Sequence, residues 1–341
     1  MKRLLLLAVL AACHADSAAP TTPTPSPTVA NTPASKSRVE TMTFHSAALG
    51  VDKHVVVYVP AGYDSSPAKH WPVFYYLHGL GGDETNWTHG GHLAEAADAM
   101  KLAAIVVMPD GDNNFYIDSA MPEDYDACMA TGKGLMVARQ SHEDTCVHAS
   151  KYATYIVDDL LGWVDGHYRT IAARDGRAIA GLSMGGYGAL QLAMRFTDKF
   201  AAAASHSGVD ALLYESPYPY VAGHPEQVTL VADVTKWGVA AGGIGDWIRL
   251  VFGADRASWV ALDPSQLAQQ LAPGRLALYL DCGTEDGFAL NNGATYLHDL
   301  LLAKKIEHAF FLGPGGHDFA FWSARVPESL AFLRVHTTAA H

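Results

Sequence analysis

The feature that most constrains this chain is a short apolar run, Ala178-Ile179-Ala180, that leads into Gly181-Leu182-Ser183-Met184-Gly185-Gly186 and then into a helical stretch from Tyr187 to Met194. A strand that turns sharply into a helix needs small residues where the two backbones converge, and a glycine stands two positions either side of Ser183. Such a turn holds the serine in a strained conformation at the end of a strand, with the first amides of the helix aimed at it. A strand that feeds a helix must also return over its sheet to another strand. The chain is thereby committed to an α/β structure around residues 178–194.

The remaining sequence supplies that sheet. Runs rich in β-branched and aromatic residues read as strands at 54–59, 72–77, 103–108, 177–181, 200–205, 276–281 and 307–312. Several are almost continuously apolar, as parallel strands covered on both faces must be. Between them, Tyr152, Tyr155, Ile156, Leu160, Trp163 and Val164 form an apolar helical stripe, with Asp158, Asp159 and Asp165 elsewhere on the turn. Residues 185–196 and 291–304 also read as helices. The alternation predicts an α/β fold with a mostly parallel, doubly wound sheet and helices on both faces. Two long stretches, 111–150 and 209–273, break the rhythm. Insertions in such sheets gather over the carboxyl ends of strands, so these two are expected to form a cap over the active site.

The ends of the chain read differently. Met1-Lys2-Arg3 precedes an apolar run over residues 4–12, which is an export signal in form and too short to span a bilayer. It ends Leu10-Ala11-Ala12-Cys13, which resembles the lipobox of bacterial lipoproteins. That resemblance implies that residues 1–12 are removed and that Cys13 is lipidated, and His14 in the next position carries no sign of inner-membrane retention. An ordinary secretory signal is the alternative. Residues 13–37 are mostly Ala, Thr, Pro and Ser, and read as a disordered tether to a domain over 38–341. The expected location is the periplasm or cell envelope, with the membrane met only through the lipid. A formal net charge of −12 and the lack of any basic run after Arg3 argue against nucleic acid as a partner.

Exported chains meet oxidising conditions, so Cys128 and Cys146 are expected to form a disulfide within the first insertion. Cys282 follows a strand and reads as a small buried apolar residue. The cysteines lack the paired close spacing of a zinc site, and neither a metal nor a cofactor is expected.

A serine hydroxyl is a weak nucleophile until a histidine takes its proton, and 17 histidines compete for that role. Where a serine sits on a strand–helix turn, the acid and then the histidine follow it in the chain. His317, in Gly315-Gly316-His317-Asp318-Phe319, lies on a loop after the last core strand and fits. His298 falls in a helix, His308 in a strand, and His336 and His341 at the C-terminal end. His78 precedes the serine and reads as a structural histidine beside a glycine-rich loop. For the acid, Asp281 stands at a strand end and is expected to bond locally. Asp286 sits in the following loop and is the choice, with Glu285 as the alternative. The oxyanion that forms on attack needs two N–H donors. Met184 offers one, and Leu80, in His78-Gly79-Leu80-Gly81-Gly82, offers the other.

The run Trp71-Pro-Val-Phe-Tyr-Tyr-Leu-His-Gly-Leu-Gly-Gly with Trp87 shortly after, Met108-Pro-Asp-Gly-Asp-Asn-Asn-Phe-Tyr, Gly181-Leu-Ser-Met-Gly-Gly-Tyr-Gly-Ala-Leu and Gly316-His-Asp-Phe-Ala-Phe-Trp together resemble the blocks of the esterase D-type family of esterases. The family takes in S-formylglutathione hydrolases, tributyrin esterases, feruloyl and acetylxylan esterases and the antigen 85 mycolyltransferases. The resemblance covers most of residues 40–335. It implies an α/β-hydrolase fold, the triad Ser183, Asp286 and His317, and oxyanion donors at Leu80 and Met184. The substrate it implies is a small-molecule or glycan ester, hydrolysed through an acyl-enzyme. The glycine loop lacks the cysteine of the formylglutathione enzymes, and an exported chain would not meet cytosolic glutathione. Acyl transfer would use the same residues. Peptidase action would call for tight peptide positioning, and such peptidases often carry an added domain that is missing here. A surface binding protein without activity would lack a triad member, and none is missing. Tyr214, Tyr218, Tyr220, Trp237, Trp247 and Trp259 in the second insertion serve either to stack on a sugar or feruloyl ring or as the core of a lid.

Overall fold

Among the described residues ten strands are formed: β1 (Arg38–Ser46), β2 (Val51–Val59), β3 (Val73–Leu77), β4 (Ile105–Pro109), β5 (Arg177–Leu182), β6 (Ala202–His206), β7 (Tyr214–Ser216), β8 (Thr229–Leu230), β9 (Ala277–Gly283) and β10 (His308–Gly313). The computed structural model describes residues 35–121, 124–132, 141–238 and 242–341. The expected export signal over residues 1–12, Cys13 and residues 13–34 of the expected tether lie outside these residues. Eight strands make one sheet in the order β1-β2-β4-β3-β5-β6-β9-β10, while β7 and β8 pair as a small separate hairpin. From β4 to β10 all neighbours are parallel; β1 and β2 run antiparallel at one edge.

The continuous apolar runs are explained by two cores. Val55, Val57, Tyr75, Leu77, Ile105, Val107 and Ile179 face one side, against the helices spanning Tyr152 to His167, Met184–Arg195 and Leu290–Ala303. Their neighbours Val56, Tyr58, Phe74, Tyr76, Val106, Met108, Ala178 and Ala180 face the other, against Leu93–Ala99 and Phe319–Val335. Adjacent residues on a strand point to opposite faces, so a strand between two helical layers must be apolar at every position. Each large side chain buried in this way contributes roughly 1.5–3 kcal/mol. Among the described residues no helix is long and apolar enough to cross a membrane.

The strand order reverses around β3. The chain goes from β3 outward to β4, then crosses back to lay β5 on β3's other side. A crevice opens at the carboxyl ends of strands where such a reversal occurs. The ends of β3 and β5 carry the His78–Gly82 loop and Ser183 respectively.

The insertions have distinct contacts. The first begins under the His78–Gly82 loop and runs out to the β1–β2 turn, where His148 N–H donates to Leu49 O at 2.9 Å. Cys128 and Cys146 are disulfide-bonded within it, with Cα atoms 5.7 Å apart. The second packs helix Pro264–Ala268 against Met184–Arg195 and Leu290–Ala303.

Candidate active site

Ser183 stands between β5 and helix Met184–Arg195 with φ 53° and ψ −118°, a conformation that a non-glycine residue rarely holds. The glycines around it make this possible. A Cβ on Gly181 would lie 2.2 Å from Gly185 O, and one on Gly185 would lie 2.3 Å from Leu77 O. The strand and helix backbones therefore touch through these two residues. Ser183 N–H donates to His206 O at 2.9 Å, and Tyr187 N–H to Ser183 O at 3.0 Å, so the turn is pinned on both sides.

The loop after β10 brings His317 over this turn. His317 Nε2 lies 2.9 Å from Ser183 Oγ, and Nδ1 lies 2.7 Å from Asp286 Oδ2. With the Nδ1 proton given to Asp286, Nε2 presents its lone pair to the serine. Asp286 is buried, which by itself raises its pKa. The hydrogen bond and charge of His317, with N–H donors from Phe288 and Leu290, outweigh that and hold the carboxyl below its usual range. The His317 ring is fixed edge-on between Trp322, at 4.9 Å, and Phe288, at 4.8 Å. Trp322 is buried and Phe288 is exposed.

The other candidates are placed elsewhere. Glu285 accepts from Thr284 Oγ1–H at 2.7 Å and Gly315 N–H at 2.6 Å, so it fastens the histidine loop and does not meet the imidazole. Asp281, expected to bond locally, reaches further. Beside Tyr279 OH at 2.8 Å it accepts from His206 Nδ1 at 2.9 Å and Arg325 Nε at 3.3 Å, because its strand end is enclosed by two other elements. Cys282 is buried and free as expected, but it is more than an apolar filler, since its Sγ–H points to Asp286 Oδ2 at 3.6 Å. His298 and His308 contact each other, at 2.6 Å. His336 ends the last helix.

The His78–Gly82 loop lies directly against the serine turn. A Cβ on Gly79 would sit 2.5 Å from Leu182 Cδ1 and 3.4 Å from Ser183 Cβ. Among the described residues, the N–H groups of Leu80 and Met184 donate to no backbone carbonyl. His78 is fully enclosed: Nδ1–H meets Gly79 O at 2.8 Å and Nε2 accepts from Gly111 N–H at 2.8 Å. It is a structural histidine.

Beneath this loop lies an ionic cluster that the sequence reading missed. Lys53, fully buried on β2, donates to Asp110 Oδ2 at 2.6 Å and Asp112 Oδ2 at 2.9 Å. Tyr152 OH donates to Asp112 as well, and Tyr155 OH to Asp110 O at 3.1 Å. Burial would raise the pKa of Asp110, but the Lys53 charge holds it well below the usual carboxylate range. The available signal was parity: Lys53 is in phase with the core residues Val55 and Val57.

The aromatic residues of the second insertion are mostly packing. Trp237, Trp259 and Phe252 stack together, and Tyr214 gathers Tyr218, Tyr220 and Tyr296. Trp247 is the exception, because its Nε1–H reaches Asn113 O, at 2.7 Å, next to the glycine loop. Among the described residues no cluster of His, Cys, Asp or Glu is arranged to hold a metal ion.

A mostly parallel eight-stranded sheet in this order, with a serine on the strand–helix turn and a histidine and an aspartate aligned behind it, defines an α/β-hydrolase. The chain belongs to the Putative esterase family, whose sequence profile matches residues 46–333. An esterase of Mycobacterium tuberculosis is 32% identical over 169 residues, which is 50% of this chain and 32% of that protein. The chain thus aligns with only about a third of that relative's length. An acetyl esterase of Caldicellulosiruptor saccharolyticus is 23% identical over 264 residues, covering 76% of this chain and 82% of its own. Among solved structures, a ferulic acid esterase superposes with a TM-score of 0.63 at 22% identity, over 88% of this chain and 99% of that one.

Proposed function

We propose that this protein is a serine carboxylic-ester hydrolase that works through an acyl-enzyme. Ser183 Oγ attacks the ester carbonyl while His317 Nε2 takes its proton, and Asp286 holds the imidazole and stabilises its cationic form. Leu80 and Met184 N–H groups receive the oxyanion. The tetrahedral intermediate collapses as His317 returns the proton to the departing alcohol. Water, deprotonated by the same histidine, then releases the acid and restores Ser183. The single observation that carries this reading is the unbroken relay from Ser183 Oγ to His317, at 2.9 Å, and on to Asp286, at 2.7 Å.

Short-chain acyl or carbohydrate-linked esters are the proposed substrates. The names of the relatives, an acetyl esterase and a ferulic acid esterase, support that class. The protein is further proposed to be exported and anchored through a lipid on Cys13, with residues 13–37 as a tether to the domain over 38–341. A disulfide between Cys128 and Cys146 accords with an oxidising location.

The test is fluorophosphonate labelling together with hydrolysis of p-nitrophenyl acetate, butyrate, octanoate and methyl ferulate. Labelling at Ser183, and loss of both labelling and turnover in Ser183→Ala, is the expected result. A folded protein that hydrolyses esters equally well as Ser183→Ala would overturn the assignment.

A further inference from the structure

The segment that leaves β4 is unusual. Asp112 (φ 47°), Phe115 (φ 54°) and Tyr116 (φ 55°) all adopt left-handed backbone conformations, three non-glycine residues within five positions. All of residues 110–117 are buried. A backbone of this kind persists only where its surroundings impose it. Here Lys53, Tyr152 and Tyr155 hold the start of the segment, and Gln191 Nε2–H donates to Tyr116 O at 2.8 Å near its end.

What the segment touches is the glycine loop. Gly111 N–H donates to His78 Nε2 at 2.8 Å, and Tyr116 OH donates to His78 O at 3.0 Å. These two fix the base of the loop. A third bond fixes its tip: Gly81 N–H donates to Asn113 Oδ1 at 2.6 Å. Gly81 follows the proposed oxyanion donor Leu80 directly and has φ +76°. The Leu80 N–H lies in the preceding peptide plane, whose Gly79 carbonyl accepts from Gly82 N–H at 3.0 Å and from His78 Nδ1–H at 2.8 Å. The Asn113 bond fixes the plane on the other side of Leu80 Cα, so both planes that meet at Leu80 are held and its amide is not free to swing. Asn113 is held in turn by Trp247 Nε1–H on its carbonyl, from helix Gly243–Phe252 of the second insertion.

We propose that Asn113 is a positioning residue for the oxyanion hole. By engaging Gly81 N–H, it keeps that amide out of the hole and turns the Leu80 N–H toward the oxygen that gains charge when Ser183 attacks. Trp247 extends the same device into the second insertion. The proposal rests on the reading of Ser183 as nucleophile and Leu80 as oxyanion donor. Its energetic signature is specific. A donor aimed at charge present only in the transition state changes kcat and leaves ground-state binding alone.

The experiment compares wild type, Asn113→Ala, Asn113→Asp and Trp247→Phe on p-nitrophenyl acetate. A trifluoromethyl ketone is used alongside; its carbonyl carbon bonds Ser183 Oγ, whose proton passes to His317, leaving the ketone oxygen as an oxyanion. Asn113→Ala is expected to lower kcat about tenfold to a hundredfold, less than the loss of an oxyanion donor outright. KM should stay within about twofold, and the ketone's inhibition constant should rise in parallel with the loss in kcat/KM. Asn113→Asp, which keeps an acceptor oxygen in place, should recover part of the loss. Trp247→Phe removes only the N–H to Asn113 O and should move kcat and ketone affinity together, by a smaller factor. It carries the test if Asn113→Ala does not fold. A fall in kcat with ketone affinity unchanged, or an effect confined to KM, would overturn the proposal. A wild-type protein that neither turns over esters nor binds the ketone would instead sink the reading of Ser183.

Discussion

Glu285 and Asp286 are joined by one peptide bond, yet their carboxylates serve different partners: Asp286 accepts from His317 Nδ1 at 2.7 Å, and Glu285 from Gly315 N–H at 2.6 Å. One orients the imidazole and the other fastens the loop that carries it. Asp286→Asn should therefore lower kcat by about 10³- to 10⁴-fold, since an amide in that position favours the wrong imidazole tautomer. Glu285→Gln keeps an oxygen for Gly315 N–H and should cost under about tenfold. Steady-state kinetics of both variants on one ester decides the matter. Equal losses would mean that the two acids share the role.

Lys53 neutralises two aspartates in a buried site. Lys53→Met leaves Asp110 and Asp112 facing each other without a cation, and should lower unfolding free energy by about 3–5 kcal/mol. Urea denaturation at neutral pH measures this, and adding Asp110→Asn and Asp112→Asn to the same chain should restore part of it. A loss in the single variant no larger than that of an exposed ion pair would contradict the role given to Lys53.

Asp210 sets a pH dependence. It is buried, accepts from Ser205 Oγ–H at 2.6 Å, and burial pushes its pKa up to about 7. In the unfolded chain an aspartate titrates near pH 4, to within about a unit. Between these values the folded protein keeps a proton that the unfolded chain has released, so stability falls as pH rises through the window and levels off above it. Asp210→Asn should abolish that slope. Relative to wild type, the variant gains roughly 4 kcal/mol between about pH 4 and pH 7. Urea midpoints across that range are the measurement, and an offset that does not vary with pH would refute the assignment.

The disulfide closes a loop between residues 18 apart in sequence. Replacing both Cys128 and Cys146 by serine should lower stability by roughly 2–3 kcal/mol, chiefly through the greater freedom of the unfolded chain. The triad lies on other segments, so kcat should change little. Thermal unfolding and ester turnover on the same preparation separate the two effects.

Sequence alone revealed the elements whose physics is local. β3, β4 and β5 are apolar at nearly every position because helices cover both faces, and that pattern needs no partner to be seen. β1 escaped notice because it is an edge strand whose exposed residues alternate with partly covered ones, in Arg38-Val-Glu-Thr-Met-Thr-Phe-His-Ser. β7 and β8, three and two residues long, are too short to have a period. That Ser183, His317 and Asp286 meet was expected from their order in the chain and their places at strand ends, and their side chains do lie within hydrogen-bond distance of one another in turn.

What stayed hidden was long-range. Asp281 bonds His206 and Arg325, residues 75 and 44 positions away, and no spacing rule connects them. Asn113 sat inside a recognisable block, but its purpose depends on Gly81, 32 residues earlier, and on backbone angles that its side chain does not announce.

Gly181 and Gly185 carry a consequence for what this scaffold can become. Since the conformation at 183 is imposed by two backbones in contact, the chemistry of the side chain there is independent of the turn that displays it. The turn works as a socket. A thiol introduced as Ser183→Cys would be held in the same attitude, beside the same imidazole, and would form thioesters where the proposed mechanism has the serine form esters. The nucleophile can be exchanged; the glycines that frame it cannot.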